Sequence, residues 1–338
     1  MRGAVLHAPG DVRIEQLDDP TIVEPTDAVL RLSATCVCGS DLWPYRGINE
    51  VKEPSPIGHE YCGVVEEVGS EVSTVRPGQF VIGSFIASDN TCPHCRGGYQ
   101  SACVHRDGVN GAQAELLRVP HADGTLVATP DQPDPAMLPS LLTLSDVMGT
   151  GWFAAVAAGV QPGMTVAVVG DGAVGLLGVL SARQMGAERI IAMSRHEPRQ
   201  KLATEFGATD IVPERGDEAV ARIRDLTDGV GADAMLECVG TDEAMSQAIR
   251  CTRAGGGVGF VGVPHGVEVS GRTLFSTMVR LHGGPAPVRR FLPDLIDLTL
   301  RGEIDPGRVF DLDLPLDDVA EGYRAMDERR AIKAFLRP

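Results

Sequence analysis

Residues 166–175 read VAVVGDGAVG, an apolar run that passes directly into the pattern G-x-G-x-x-G. A strand, this turn and then a helix let Gly170, Gly172 and Gly175 make a tight bend with close backbone approach. The helix start, with Ala173 and Val174, then faces a dinucleotide pyrophosphate. In a chain with 40 glycines the pattern alone is weak, and its strand-turn-helix setting gives it weight. Outward from it, the strand-like segments TVAVVG, RIIAMS, ADAMLEC and GVGFVG alternate with the helical stretches VGLLGVLSARQMGA, PRQKLATEFGA and DEAMSQAIRCTRAG. That alternation predicts an α/β fold with a parallel sheet covered on both faces by helices.

The first 120 or so residues have a different texture: short alternating apolar runs (AVLHAPGDVRIEQL, DAVLRLSATC, YCGVVEEVGSEV, QFVIGSF) punctuated by Gly and Pro, which predicts a β-rich lobe. A helical pattern, VRRFLPDLIDLTLRG, follows Pro285, and an apolar segment, IKAFLRP, closes the chain. With 338 residues two domains are expected. A net charge of -16 disfavours nucleic acid, whose phosphates need concentrated Lys and Arg, and points to small-molecule partners. The amino terminus lacks a long apolar segment with a cleavage site, and Gly151 to Val160 is too short to span a bilayer, so a cytoplasmic protein without membrane contact is expected. Of the eight cysteines, Cys36, Cys62, Cys238 and Cys251 read as ordinary buried residues, whereas the others suit thiolate ligation better than disulfides.

The choice of dinucleotide turns on the end of the second strand of the sheet, where a carboxylate would accept the ribose 2′-OH of NAD and repel a 2′-phosphate. Here the chain reads IIAMSRHEPR: Ser194 takes the acidic position, Arg195 follows and Arg199 lies nearby, so donors and positive charge favour NADP. The alternative is that both arginines are solvated and Glu197 serves the ribose.

The segments CGSDL (38–42), GHEYCGVVEEVG (58–69), RPGQFV (76–81), SDVMGTGW (145–152) and GDGAVG (170–175) occur in an order that resembles the zinc-dependent medium-chain alcohol dehydrogenase family over essentially the full length. The resemblance implies a GroES-like β-barrel catalytic domain from residues 1–147 and 285–338, and a Rossmann doubly wound parallel-sheet domain at 148–284. It also implies a catalytic zinc on Cys38, His59 and Asp146, with Glu60 as a nearby carboxylate. Three protein ligands leave the fourth position open for substrate. Many members carry a second cysteine where this chain has Asp146, and an Asp before an apolar helix is also a common N-cap. Asp41 would orient His59 through its other ring nitrogen. Ser40 would receive the substrate proton. The family's next relay group is a histidine three residues on, where this chain has Trp43, so Trp43 is expected as pocket wall together with Phe85.

By the same likeness, Asp89, Cys92, Cys95 and Cys103 fit the family's C-x2-C-x2-C-x7-C structural-zinc spacing with aspartate first. A vestigial lobe of free thiols, or His94 or His105 as the completing ligand, is the alternative. Val263 is expected near the nicotinamide and the alcohol pocket, and Lys333 on the cofactor pyrophosphate. The function implied is zinc-dependent, NADP-linked interconversion of an alcohol with an aldehyde or ketone by a homodimer or homotetramer. The competing readings are a zinc-free quinone or enone reductase of the same superfamily, and a non-enzymatic nucleotide-sensing protein.

Overall fold

The computed structural model describes every residue from Met1 to Pro338. It divides into two compact units, Met1–Gly149 with Pro287–Pro338, and Thr150–Ala286. The first division falls inside the first turn of the helix Val147–Ala158.

The first unit is β-rich. Its main sheet runs Leu126–Ala128, Phe80–Gly83, Tyr61–Val68, Ala28–Cys36, Ala334–Arg337, Leu312–Pro315, with Leu116–Val119 also paired to Ala28–Cys36. A smaller sheet joins Asp11–Gln16, Arg2–Ala8 and Ser55–Pro56. Leu30, Leu32, Tyr61, Val65, Val81, Leu117 and Leu126 pack into one apolar cluster between strands. The sheet takes strands from both chain ends: antiparallel pairing sets Phe335 opposite Cys36, and Thr35 opposite Tyr61. The tail IKAFLRP is thereby laid beside the segments that carry CGSD and GHE.

The second unit is a six-stranded parallel sheet in the order Asp210–Val212, Arg189–Met193, Thr165–Val169, Ala232–Glu237, Thr252–Phe260, Arg280–Gly283. Numbered along the chain this is 3-2-1-4-5-6, the Rossmann arrangement, in which the strand order reverses beside the first strand. Its strands are buried runs of Val, Ile, Ala and Met, as a sheet covered on both faces requires. The helices Ala173–Gln184, Glu197–Phe206, Gly216–Leu226 and Asp242–Cys251 connect them.

Two elements here lack a sequence signal: Asp210–Val212 and Arg280–Gly283 are too short to show a period. The helix Gly216–Leu226, absent from the expected helical stretches, carries one, with Ala219, Val220 and Ile223 buried at helical spacing beneath a charged face. The segment TRAG, read as the end of a helix, is strand: Cys251 ends the helix and Thr252 begins Thr252–Phe260. No single helix is long and apolar enough to cross a membrane; the consecutive helical stretches Pro135–Thr143 and Val147–Ala158 reach that length and apolarity only when taken together.

Within this second unit, Gly151 brings the helix Val147–Ala158 against Ala173–Gln184, since a Cβ there would lie 2.7 Å from the Gly178 nitrogen and 2.8 Å from the Leu177 carbonyl carbon. Both obstacles are backbone, which cannot turn aside. We expect Gly151→Ala to cost about 1–3 kcal/mol of stability through overpacking, measured by denaturant unfolding against the parent chain.

Candidate functional site

Two clusters of ligand-type side chains lie in the first unit. In the first, Cys38, His59, Glu60 and Asp146 each offer an atom such that all lie within 4.8 Å of one another. His59 Nε2 is 3.2 Å from Asp146 Oδ2, and Cys38 Sγ is 3.6 Å from the same oxygen. The fold brings these distant positions together through Ser145. Its hydroxyl donates to the Gly83 carbonyl at 2.6 Å and accepts from the Tyr61 backbone N–H at 3.0 Å. The chain just before Asp146 is therefore fastened to the strand that follows His59 and Glu60. Asp146 directs its carboxylate into the cluster.

Around the cluster runs a chain of buried hydrogen bonds. Asp41 Oδ1 is 3.3 Å from His59 Nδ1, while its Oδ2 accepts from the Cys38 backbone N–H at 2.9 Å and from Gln113 Nε2 at 3.3 Å. Gln113 Oε1 in turn accepts from the Tyr323 hydroxyl at 3.1 Å. Burial holds the Tyr323 phenol well above its ordinary pKa, so it remains a donor. The result fixes His59 with Nε2 turned toward Asp146 and Cys38. Gln113 and Tyr323 belong to no motif, and neither was expected from the sequence.

Lys333 differs from expectation. Its ammonium, 1% exposed, donates to Glu60 Oε1 at 2.6 Å and to the Val37 carbonyl at 3.1 Å. It is thus committed inside the first unit rather than presented to a pyrophosphate, because the terminal strand Ala334–Arg337 pairs beside Cys36. Burial disfavours its charge, but Cys36, Glu60 and Cys38 outweigh burial and raise its pKa well above the usual lysine value. Glu60 Oε2 is buried with no partner. An orphaned carboxylate oxygen beside a thiol, an imidazole and a second carboxylate is a donor set suited to a divalent cation such as zinc. The balance of charge agrees. Burial opposes charge on His59, yet Asp41 and Cys38 raise its pKa well above the usual histidine value, so the cluster favours positive charge at its centre. Burial, with Glu60 adding to it, raises the Cys38 thiol, which a bound cation would reverse.

The second cluster gathers Asp89, Cys92, Cys95 and Cys103, again with ligand atoms all within 4.8 Å of one another. Cys92 Sγ lies 3.5 Å from Cys95 Sγ and 3.9 Å from Cys103 Sγ. Backbone N–H groups of Cys95 and Val104 draw the Cys92 thiol down to about 7. Despite burial, the backbone N–H groups of Thr91 and Cys92 together with His105 hold the Asp89 carboxyl well below the ordinary range. His105 Nδ1 contacts Asp89 Oδ2 at 2.7 Å, a partner to the carboxylate rather than its replacement, and His94 is exposed. The arrangement is a compact four-donor set that would hold a closed metal site.

Ser40, Trp43 and Phe85 are half-buried, and the Phe85 ring meets the His59 ring at 6.0 Å in an edge-on contact. In the second unit, Gly170 has φ +113°, and a Cβ on Gly175 would stand 1.9 Å from the Gly170 carbonyl oxygen. Gly172 faces open space and begins the helix Ala173–Gln184. These are the three tasks of a dinucleotide turn: the bend, the open approach and close packing of helix on strand. Ser194 is buried, Arg199 half-buried, and Arg195 and Glu197 exposed. Val263 is 50% exposed, and its backbone oxygen sits where a Cβ on Gly240 would lie at 2.1 Å. Glu237, buried at the end of its strand, accepts from the backbone N–H groups of Val239 and Gly240 at 2.8 Å each and fixes that turn. Of the four cysteines read as ordinary buried residues, Cys36, Cys62 and Cys251 are buried and Cys238 is partly exposed.

Residues 24–131 match the alcohol dehydrogenase GroES-like domain family, and residues 173–293 match the zinc-binding dehydrogenase family. A probable zinc-binding alcohol dehydrogenase of Mycobacterium tuberculosis is 36% identical, over 100% of this chain and 89% of that one. The structure of the alcohol dehydrogenase TADH from Thermus sp. ATN1 superposes with a TM-score of 0.92 at 31% identity, covering 100% of this chain and 99% of that one. A putative zinc-binding dehydrogenase from Sinorhizobium meliloti 1021, solved bound to NADP, gives a TM-score of 0.84 at 26% identity, covering 100% and 99%.

Two outcomes follow from the paired clusters and the buried ion pair. Metal analysis of the purified chain is expected to return two zinc equivalents, and Asp89→Ala to lose one of them. Lys333→Met, which strands a buried carboxylate, is expected to lower unfolding free energy by about 3–5 kcal/mol, with most of it recovered in the double variant with Glu60→Gln.

Proposed function

The chain belongs to the zinc-dependent medium-chain alcohol dehydrogenase family, and on that premise we propose that it interconverts an alcohol and its carbonyl compound with NADP(H), through a zinc held by Cys38, His59 and Asp146. The convergence of those three side chains with Glu60, all within 4.8 Å of one another, carries this reading. It also weighs against a zinc-free reductase, which has no use for such a donor set. When bound, zinc supplies a Lewis acid that eases loss of the alcohol proton or polarises a carbonyl oxygen, and the nicotinamide supplies the hydride acceptor or donor.

The chain's own residues do the remainder. Asp41, itself held by Gln113 and the Cys38 backbone, keeps His59 in one tautomer. Cys38 and Asp146 would supply negative charge to offset a dication, and Asp146, a weaker charge donor than the thiolate many relatives use, would leave it more electrophilic. Phe85, packed on His59, and Trp43 form apolar wall and exclude water from the reacting oxygen. Ser40 accepts the hydroxyl proton. With Trp43 in place of the relay histidine, that proton passes to solvent through water. The substrate class that suits an apolar wall is a modest aliphatic or aromatic alcohol.

Turnover of primary, secondary and aromatic alcohols with NADP, abolished by thorough removal of zinc, is the expected result; full activity in demetallated protein refutes the proposal. Ser40→Ala is expected to lower kcat at neutral pH by about 100-fold and far less at high pH, where hydroxide takes the proton. Equal losses at both pH values count against the relay.

A further inference from the structure

The strand that ends at Met193 offers no carboxylate to the ribose, yet one reaches the same place from elsewhere. Ser194 is anchored at both backbone ends. Its N–H donates to the Val212 carbonyl at 3.1 Å, and its carbonyl accepts from Gln200 Nε2 at 2.8 Å. Its hydroxyl donates to Asp171 Oδ2 at 2.7 Å. Asp171 is the second residue of the glycine turn. The Asp171 carbonyl accepts from Arg199 Nη1 at 3.1 Å, and its carboxylate Oδ1 is 3.5 Å from the same nitrogen. Side-chain exposures of 17% for Asp171 and 12% for Arg199 place both groups at the rim of this turn rather than in open water.

We propose that Asp171 determines the dinucleotide specificity of this chain: it accepts the 2′-hydroxyl of NAD and opposes the 2′-phosphate of NADP, which Arg199 favours. This rests on the reading of the Gly170–Gly175 turn as the cofactor site. In a sheet of this type the adenosine ribose lies at the end of the second strand, where Ser194 stands. A carboxylate hydrogen-bonded to that serine is within reach of the same 2′ substituent. The pocket therefore carries one charge of each sign. A neutral ribose gains an acceptor in Asp171, while a phosphate gains the guanidinium but meets a like charge only partly screened by water. Neither cofactor is shut out, and the preference for NADP that Arg195 and Arg199 imply is held down by the turn itself. Asp171 escapes notice in the sequence because it stands 23 residues before the position where the acidic residue is sought.

The test is fluorescence titration of the zinc-loaded full chain with NADPH and with NADH, for the parent, Asp171→Asn and Asp171→Ser. Both variants remove the charge, and asparagine keeps an oxygen in the place of the one that accepts from Ser194. Each is expected to tighten NADPH by about ten-fold and to weaken NADH, so that the ratio of the two Kd values shifts toward NADPH. Parallel changes for both ligands, or none for either, overturn the proposal. The parent ratio judges the underlying reading separately: a parent that prefers NADH refutes NADP preference while the shift on substitution still decides Asp171, and a parent that binds neither refutes both.

Discussion

The structure of the first unit is governed by the confinement of several acidic groups in a buried space with few counter-charges. Cys38, Glu60, Asp146 and Asp41 surround His59, and one ammonium, Lys333, is drawn to full burial among them. Leaving such groups without compensation in a low-dielectric interior is costly. The neighbouring architecture supplies that compensation. Lys333 neutralises one face of Glu60, Gln113 and the Cys38 backbone satisfy Asp41, and Tyr323 satisfies Gln113. Glu60 Oε2 alone in this group is left buried without a partner, and the four side chains Cys38, His59, Glu60 and Asp146 form a donor set of the kind that suits a dication.

The same constraint explains the division of labour between the two units. The β-rich unit brings Cys38, His59, Glu60 and Asp146 from distant segments to one point because its sheet interleaves both chain ends, and Ser145 fastens the segment before Asp146 to the neighbouring strands. The parallel-sheet unit, by contrast, builds its site locally. Gly170, Gly172 and Gly175 work within one turn, and the groups that contact its Asp171, namely Ser194 and Arg199, come from the end of the next strand and the helix after it. A phosphate site can be local because helix N-termini and glycine turns are backbone devices. A metal site needs side chains from several directions.

That contrast sets what the sequence by itself determined. The glycine turn, the alternation of strand and helix and the β-rich first lobe were legible because each rests on neighbouring residues, whereas the distant metal-ligand candidates were legible only through the resemblance of their short segments to those of a known family. The strands Asp210–Val212 and Arg280–Gly283 were not, since segments that short have no period, and the helix that ends at Cys251 was read too long because the first glycine stop signal, Gly255, stands beyond its actual end. Only the tertiary structure decided that Lys333 pairs with Glu60 rather than a cofactor phosphate, that Gln113 and Tyr323 support His59, and that Asp171 reaches Ser194. These contacts depend on strand register and on the crossing of segments 23 to 273 residues apart. A charge or amide in sequence shows its chemistry, but its partner is fixed by which backbone the folded sheet lays beside it.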